Sequence, residues 1–293
     1  MRTMPTMPTN GQGATLRTLR IIVSSLCMAG VTLLLVLPAS ALAAHLTELS
    51  RLQWLPAAMT FSLLTCIGWL VVTLVFGRIY CSSVCPLGTM MDLVNRLRRR
   101  NRPVSDTRVT FHYHPAMSTL RNLLVIATFV TLIGGIVILA KLLDPYGTYA
   151  RFCNYLFHPV QMWSQPTFWY GCSVAVVTFI AVVVMAWKRG RLWCNTVCPV
   201  GTTLGYVSRH SLFRIDIDTD LCTHCRRCEW ACKAECIDLT DHIVDGSRCI
   251  NCFNCLDVCN DGAIRYTFSR KQLSIPMMQR TSPKTAATME GKN

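Results

Sequence analysis

Charge is scarce in this chain. Asp, Glu, Lys and Arg make up only 15% of its 293 residues, against about 25% in soluble domains, which excludes a protein that is soluble throughout. Acidic residues are the scarcer sign, 15 against 29 basic, for a formal net charge of +14. An excess of base is one footprint of nucleic-acid binding. Here, however, the basic residues gather at the ends of apolar runs, so no nucleic-acid partner is expected and membrane lipid is.

Four apolar runs account for a mean hydropathy of +0.36. They cover Ile21–Ala44, Trp54–Phe76, Leu123–Ala140 and Thr167–Trp187, each near the roughly 20 residues that cross a bilayer as a helix. Ala41-Leu42-Ala43, after Arg17 and Arg20, resembles a signal-peptidase site. The run before it is longer than a usual signal core, so a retained helix is expected. Arg78, Arg96, Arg98, Arg99 and Arg121 flank the middle runs, and Lys188, Arg189 and Arg191 follow the fourth, whereas the opposite loops hold only Arg51, Lys141 and Arg151. The positive-inside bias therefore predicts a multi-pass protein of the bacterial inner (cytoplasmic) membrane, with both termini cytoplasmic.

Cysteine is abundant, 17 in all. Cys222-x2-Cys225-x2-Cys228-x3-Cys232 recurs 27 residues later as Cys249-x2-Cys252-x2-Cys255-x3-Cys259. Bacterial ferredoxins hold two 4Fe–4S clusters with this doubled spacing, each triplet capping one cube while its trailing cysteine crosses to the other. One cluster is thus assigned to Cys222, Cys225, Cys228 and Cys259, the other to Cys249, Cys252, Cys255 and Cys232. Zinc sites use cysteine pairs instead, and disulfides suit a reducing compartment poorly. Short strands around Ile215-Ile217 and Ile264-Tyr266 predict a small α+β ferredoxin-like domain, held together by cofactor more than by core.

A second repeat lies in the membrane part. Residues 77–89, Gly-Arg-Ile-Tyr-Cys-Ser-Ser-Val-Cys-Pro-Leu-Gly-Thr, return 113 residues later as Gly-Arg-Leu-Trp-Cys-Asn-Thr-Val-Cys-Pro-Val-Gly-Thr, with eight of thirteen positions identical. Each copy follows the second helix of a pair, so the expected fold is a polytopic α-helical membrane protein of four transmembrane helices in two repeated pairs, followed by the ferredoxin domain. Pro86 and Pro199 lack an N–H and should each open a new helix. The first of these, with apolar residues at 87, 90, 91, 94 and 97, should lie amphipathically on the inner face. Helix starts and Arg78 or Arg191 should favour thiolate at the paired cysteines. Three uses of Cys81, Cys85, Cys194 and Cys198 stay open: a metal or third cluster, a dithiol–disulfide couple, or a structural turn.

On these motifs the chain resembles the NapH-type quinol dehydrogenase component of periplasmic nitrate reductase systems. The resemblance covers roughly residues 20–270 and extends to the C-terminal module of NosR-type proteins, to a methylamine-utilisation ferredoxin-type protein and to membrane polyferredoxins. It implies an electron-transfer subunit that relays electrons from quinol to a redox partner protein. Alternatives are a maturation reductase for another metalloenzyme and a redox-sensing membrane protein. The chain departs from the usual ferredoxin pattern at Lys233 and Asn260, where proline often follows the fourth cysteine, and at Cys236, a ninth cysteine read as packed rather than ligating. Residues 1–19 are expected to form a disordered tail, 20–210 the membrane domain, 211–270 the ferredoxin domain and 271–293 a mobile tail. His45, Glu48, Asp144, Tyr146, Tyr149 and His158, near outer helix ends, are weak candidates for contact with quinol. His112 and His114 are expected in a solvated inner loop.

Overall fold

Long apolar stretches become helices because burying an unpaired backbone in lipid is costly. The computed structural model describes residues 11–36, 63–99, 110–157 and 168–268. Helices α1 (Gly11–Val36) and α8 (Phe168–Arg189) are long and apolar enough to span a membrane, and only 17% of each apolar window is buried inside the molecule. Leu26, Leu33, Val177 and Ile180 turn outward instead. A soluble core helix would bury such residues, so these two helices mark a membrane protein. The apolar helices α2 (Leu63–Phe76) and α5 (Ser118–Ile133) are shorter.

Two expected boundaries move. The tail expected through residue 19 is already helical from Gly11, since Arg17 pairs with Asp257 and Arg20 with Asp92. The third apolar run does not continue to Ala140. It stops at Gly134-Gly135, where Gly135 adopts a φ of +78° that ends the helix, and the chain restarts as α6 (Ile138–Leu143). Helix α7 (Pro145–Phe157) then packs against α1, α4 and α8 rather than forming an open loop. Tyr149 hydroxyl bonds Thr32 Oγ1 at 2.7 Å, and Phe152 stacks on Phe179. Asp144, 4% exposed, accepts the Gly147 N–H at 2.6 Å, and burial lifts its carboxyl to about 7. His45, Glu48, His158, the Ala41–Ala43 segment and the tail from 271 lie outside the described residues.

The repeat organises what lies beneath these helices. The first copy runs through α3 (Ile79–Ser83) into α4 (Pro86–Arg99), the second through a π-helical turn (Trp193–Val197) into α9 (Pro199–Ser208). Both new helices begin at the motif proline. Helix α4 packs on α1 and on α8, and α9 packs on α5 and on α2. Each copy therefore places its helix against the first helix of its own pair and the second helix of the other. That exchange is the mark of a pseudo-two-fold arrangement.

The C-terminal domain is built on two small antiparallel ladders. Strand β1 (Phe213–Ile217) pairs with β4 (Ile264–Phe268), in register from Phe213↔Phe268 to Ile217↔Ile264, and β2 (Ile237–Asp238) pairs with β3 (Ile243–Val244). Short helices α10 (Arg227–Ala231) and α11 (Asn254–Val258) carry the third cysteine of each triplet, Cys228 and Cys255. The domain is seated on the membrane part by buried polar contacts. Arg191 N–H donates to Lys233 O at 2.9 Å, Asn195 Nδ2 to Ala234 O at 3.2 Å and Arg78 Nη1 to Ser247 O at 3.0 Å. The segment 110–117 is an irregular stretch, exposed from His112 to Met117 as expected of a loop, while Thr110 and Phe111 are buried. His112 and His114 are half exposed, but they face Glu229 at 3.6 Å and Glu235 at 3.1 Å, and Arg248 binds the His114 carbonyl.

One carboxylate ties the parts together. Asp92 of α4, 5% exposed, meets Arg20 of α1 at 2.7 Å, Arg191 of the second copy at 2.9 Å and Lys233 of the ferredoxin domain at 3.2 Å. Burial alone would raise its carboxyl pKa, but Arg191, Lys233 and Arg20 together hold it well below the usual range. Removing one partner of a buried pair costs about 3–5 kcal/mol. Asp92→Asn should therefore lower the thermal midpoint of the detergent-solubilised protein by several degrees, followed by scanning fluorimetry. An unchanged midpoint would show that the three cations are stable without it.

Candidate iron–sulfur centres

The doubled ferredoxin motif repeats in backbone geometry as well as in spacing. His224 and Arg226 in the first triplet have φ of +55° and +61°, and their counterparts Asn251 and Phe253 have +49° and +59°. Non-glycine residues rarely occupy this left-handed region. Alternating it with right-handed residues turns successive N–H groups inward, a nest that suits an anionic iron–sulfur group. Cys222, Cys225, Cys228 and Cys259 line one small cavity, walled by Ile217, Leu239 and Ile264. Cys249, Cys252, Cys255 and Cys232 form a second set close enough for Cys255 to feel the other three electrostatically, and Cys228 of the first set as well. The two sets are therefore neighbours. The second set is wholly buried, whereas in the first only Cys228 is buried and Cys225 is exposed; the donor chemistry and left-handed turns of both fit 4Fe–4S groups.

Cys236 sits inside the second set. Its Sγ, in a residue 1% exposed, lies 3.5 Å from Cys232 Sγ and also hydrogen-bonds with Cys249. The bond from Cys236 is the main reason the Cys232 thiol is lowered to about 7, helped against burial by the backbone N–H groups of Cys236, Ala234 and Glu235. Nothing in the spacing of the motif announces this contact.

The four thiols of the paired Cys-x3-Cys-Pro copies also come together. Cys81, Cys85, Cys194 and Cys198 are each at most 4% exposed, and Cys198 is influenced by all three others. Two wholly buried arginines are exchanged across them. Arg78 Nη2 donates to the Cys194 carbonyl at 3.0 Å, and Arg191 Nη1 donates to the Cys81 carbonyl at 2.9 Å. The same nitrogens lie 3.8 Å from Cys81 Sγ and 3.9 Å from Cys194 Sγ. Gly88 and Gly201 complete the symmetry. A Cβ at either would overlap the carbonyl oxygen of Cys81 or Cys194 and the arginine bound to it.

The thiolates expected at these cysteines are not favoured by the protein alone. Burial pushes Cys85, Cys194 and Cys198 up, and their mutual proximity adds to it, outweighing Arg191 and the N–H of Gly88 or Gly201. Deprotonation would accompany metal binding rather than precede it. Among the described residues, no three or more His, Cys, Asp or Glu side chains close around a point as for a single metal ion. A cube makes no such demand, because each thiolate binds a different iron.

Comparison with known proteins bears on these segments directly. A family model described as a 4Fe-4S binding domain matches residues 58–105 and 174–218, the two copies of the Cys-x3-Cys-Pro repeat. The ferredoxin-type protein NapH of Escherichia coli is 24% identical over 215 residues, covering 68% of this chain and 67% of its own. The methylamine utilization ferredoxin-type protein MauN of Paracoccus denitrificans is 30% identical over 162 residues, covering 54% and 49%. The chain is thus similar to NapH-type ferredoxin proteins. An uncharacterized protein of Methanocaldococcus jannaschii is similar over 70% of this chain and 71% of its own, at 27% identity. No solved structure matches. These matches support an iron–sulfur electron-transfer protein, and the exchanged arginines lie within the segments that the family model recognises.

Gly201 offers a test of the exchange. Gly201→Ala should destabilise the protein by about 1–3 kcal/mol through overpacking. Gly68→Ala, at a position with nothing within 4 Å of the new Cβ, should not. Thermal melts of the two variants in the same detergent compare them, and equal midpoints would mean the close approach is soft.

Proposed function

We propose that this protein is a quinol-oxidising iron–sulfur relay of the bacterial inner membrane. Four helices in two pairs cross the bilayer, with both termini and the ferredoxin domain on the cytoplasmic side. Cys222, Cys225, Cys228 and Cys259 hold one 4Fe–4S cluster, and Cys249, Cys252, Cys255 and Cys232 hold the second. Cys81, Cys85, Cys194 and Cys198 hold a third. The observation that carries this reading is the convergence of the four repeat cysteines, on segments matched by a 4Fe-4S binding model, beside a ferredoxin domain seated on them. A quinol gives up two electrons and two protons. Clusters held by these cysteines would supply one-electron carriers, two of which would match the two electrons of one quinol. Its two protons would be released to water, with a redox partner protein as the final recipient of the electrons.

Ferredoxin-type clusters are often too reducing to accept electrons from quinol, since their potentials span a wide range. The charges around these sites counter that tendency. Arg78 and Arg191 lie beside the repeat thiols, and Lys233 and Arg20 carry positive charge near Cys252. Fixed cations stabilise the more negative, reduced form and so raise the potential. Hydrogen bonds to ligand sulfur act in the same direction.

The decisive experiment is anaerobic addition of a menaquinol analogue to the purified protein, following the iron–sulfur absorbance. Bleaching is expected. Bleaching by dithionite alone would instead favour a cytoplasmic donor or a maturation role. If a third cluster is present, Cys194→Ser should reduce iron from about twelve to about eight atoms per chain by elemental analysis. Unchanged iron would remove the third cluster. Cys236→Ala should lower the midpoint potential of one cluster in an EPR-monitored titration while leaving the others in place. No shift would leave Cys236 a packing residue.

A further inference from the structure

A cavity of about 450 Å³ opens between α1 and α4, within the range of roughly 300–1,000 Å³ typical of small-molecule sites. Its walls are two faces left exposed among the described residues: Ala29 and Leu33 of the span α1, and Leu93 of α4. Its polar end is different. Arg20, Ser24, Thr89 and Asp92 gather there, and Arg20 and Ser24 are at most 5% exposed. Arg20 uses Nη1 for Asp92 Oδ2 and the Ser82 carbonyl, and among the described residues its buried Nε–H meets no acceptor. A buried guanidinium N–H without a partner is costly. What sets Arg20 apart from the other arginines whose Nε–H is unpaired among the described residues is that it lines this cavity, where an oxygen of an occupant could accept from it.

The polar end also adjoins both candidate electron carriers. Thr89 Oγ1 donates to the carbonyl of Cys85 at 3.3 Å, and Ser82 follows Cys81 in the chain. Asp92 pairs with Lys233, the neighbour of Cys232. An occupant must therefore be apolar along most of its length, reach the cavity from the lipid side, and present a hydrogen-bond-accepting head beside the cysteines. We infer that this cavity between α1 and α4 is a site for an isoprenoid quinone, with a ring oxygen at Arg20 and the tail leaving past Ala29 and Leu33. The inference rests on the quinol relay proposed above. It places the head at the end nearest the cysteines, whereas the weak candidates named from the sequence lie at outer helix ends. A phospholipid carbonyl or phosphate shares the same head chemistry, and the test must separate the two.

The experiment uses the full-length protein in nanodiscs with a photoreactive azido-naphthoquinone, followed by peptide mapping. Labelling is expected within residues 11–36 or 86–99 and should be outcompeted by menadione but not by added phosphatidylglycerol. Ala29→Trp, which fills the cavity from an exposed position, should cut labelling at least tenfold while leaving iron content and dithionite-reducible absorbance unchanged. Leu93→Trp fills it from the opposite wall and replaces Ala29→Trp if that variant loses iron. Labelling elsewhere, labelling insensitive to both tryptophans, or displacement by phosphatidylglycerol would each overturn the assignment. Quinol bleaching of the wild type is measured in parallel. Bleaching that survives both tryptophans sinks this site but keeps the relay, whereas mapped labelling without bleaching keeps the site and sinks the relay.

Discussion

A buried carboxylate surrounded by three cations is the constraint on which the rest of this molecule depends. Asp92 draws together a membrane helix through Arg20, the second repeat copy through Arg191 and the ferredoxin domain through Lys233. These residues come from four separate stretches of chain, and none would be stable in a dry interior alone. Together they leave a net positive charge beside the cysteine sets. The same cluster that fixes the domain's seat therefore also shapes the field in which an electron is held.

Lys233 shows how a departure from a pattern can be structural. The residue after the fourth ferredoxin cysteine is often proline, which serves local packing. Here it is a lysine, 5% exposed, whose carbonyl receives the Arg191 N–H and whose ammonium reaches Asp92. Gly190, at a φ of +60°, keeps that approach open, since a Cβ there would overlap the Lys233 carbonyl. The ferredoxin domain is thus fitted to its membrane base through a position that a free-standing ferredoxin would use otherwise.

Much of this architecture could be read from residues alone, because its signals are periodic. The doubled cysteine triplets, the two Cys-x3-Cys-Pro copies and the prolines that open α4 and α9 are all local in sequence. The amphipathic reading of α4 was only half adequate. Leu87 and Met91 are fully buried, yet Leu97 is 54% exposed while Asp92 and Asn95 are buried. Hydrophobic periodicity ranks side chains by polarity, and here polar partners from distant segments decide the burial. The same limit hid Cys236 against Cys232, the contacts of His112 and His114, and the thiol pKa shifts, where burial outweighs the neighbouring arginines. The break at Gly134-Gly135 did carry a local signal, which hydropathy averaging smoothed away.

The exchanged arginines have a consequence for how the chain is made. Arg78 donates to the carbonyl of Cys194, and Arg191 to the carbonyl of Cys81, so neither copy is complete without the other. The copies are 113 residues apart. At the usual pace of bacterial synthesis, about 5–20 residues per second, the first copy waits roughly 6–23 s with a guanidinium and a thiol pair uncommitted. Ser247 and Lys233, which close over them, emerge later still. A group shared by the four repeat cysteines, as proposed above, would therefore have its full set of ligands only after both copies have been translated.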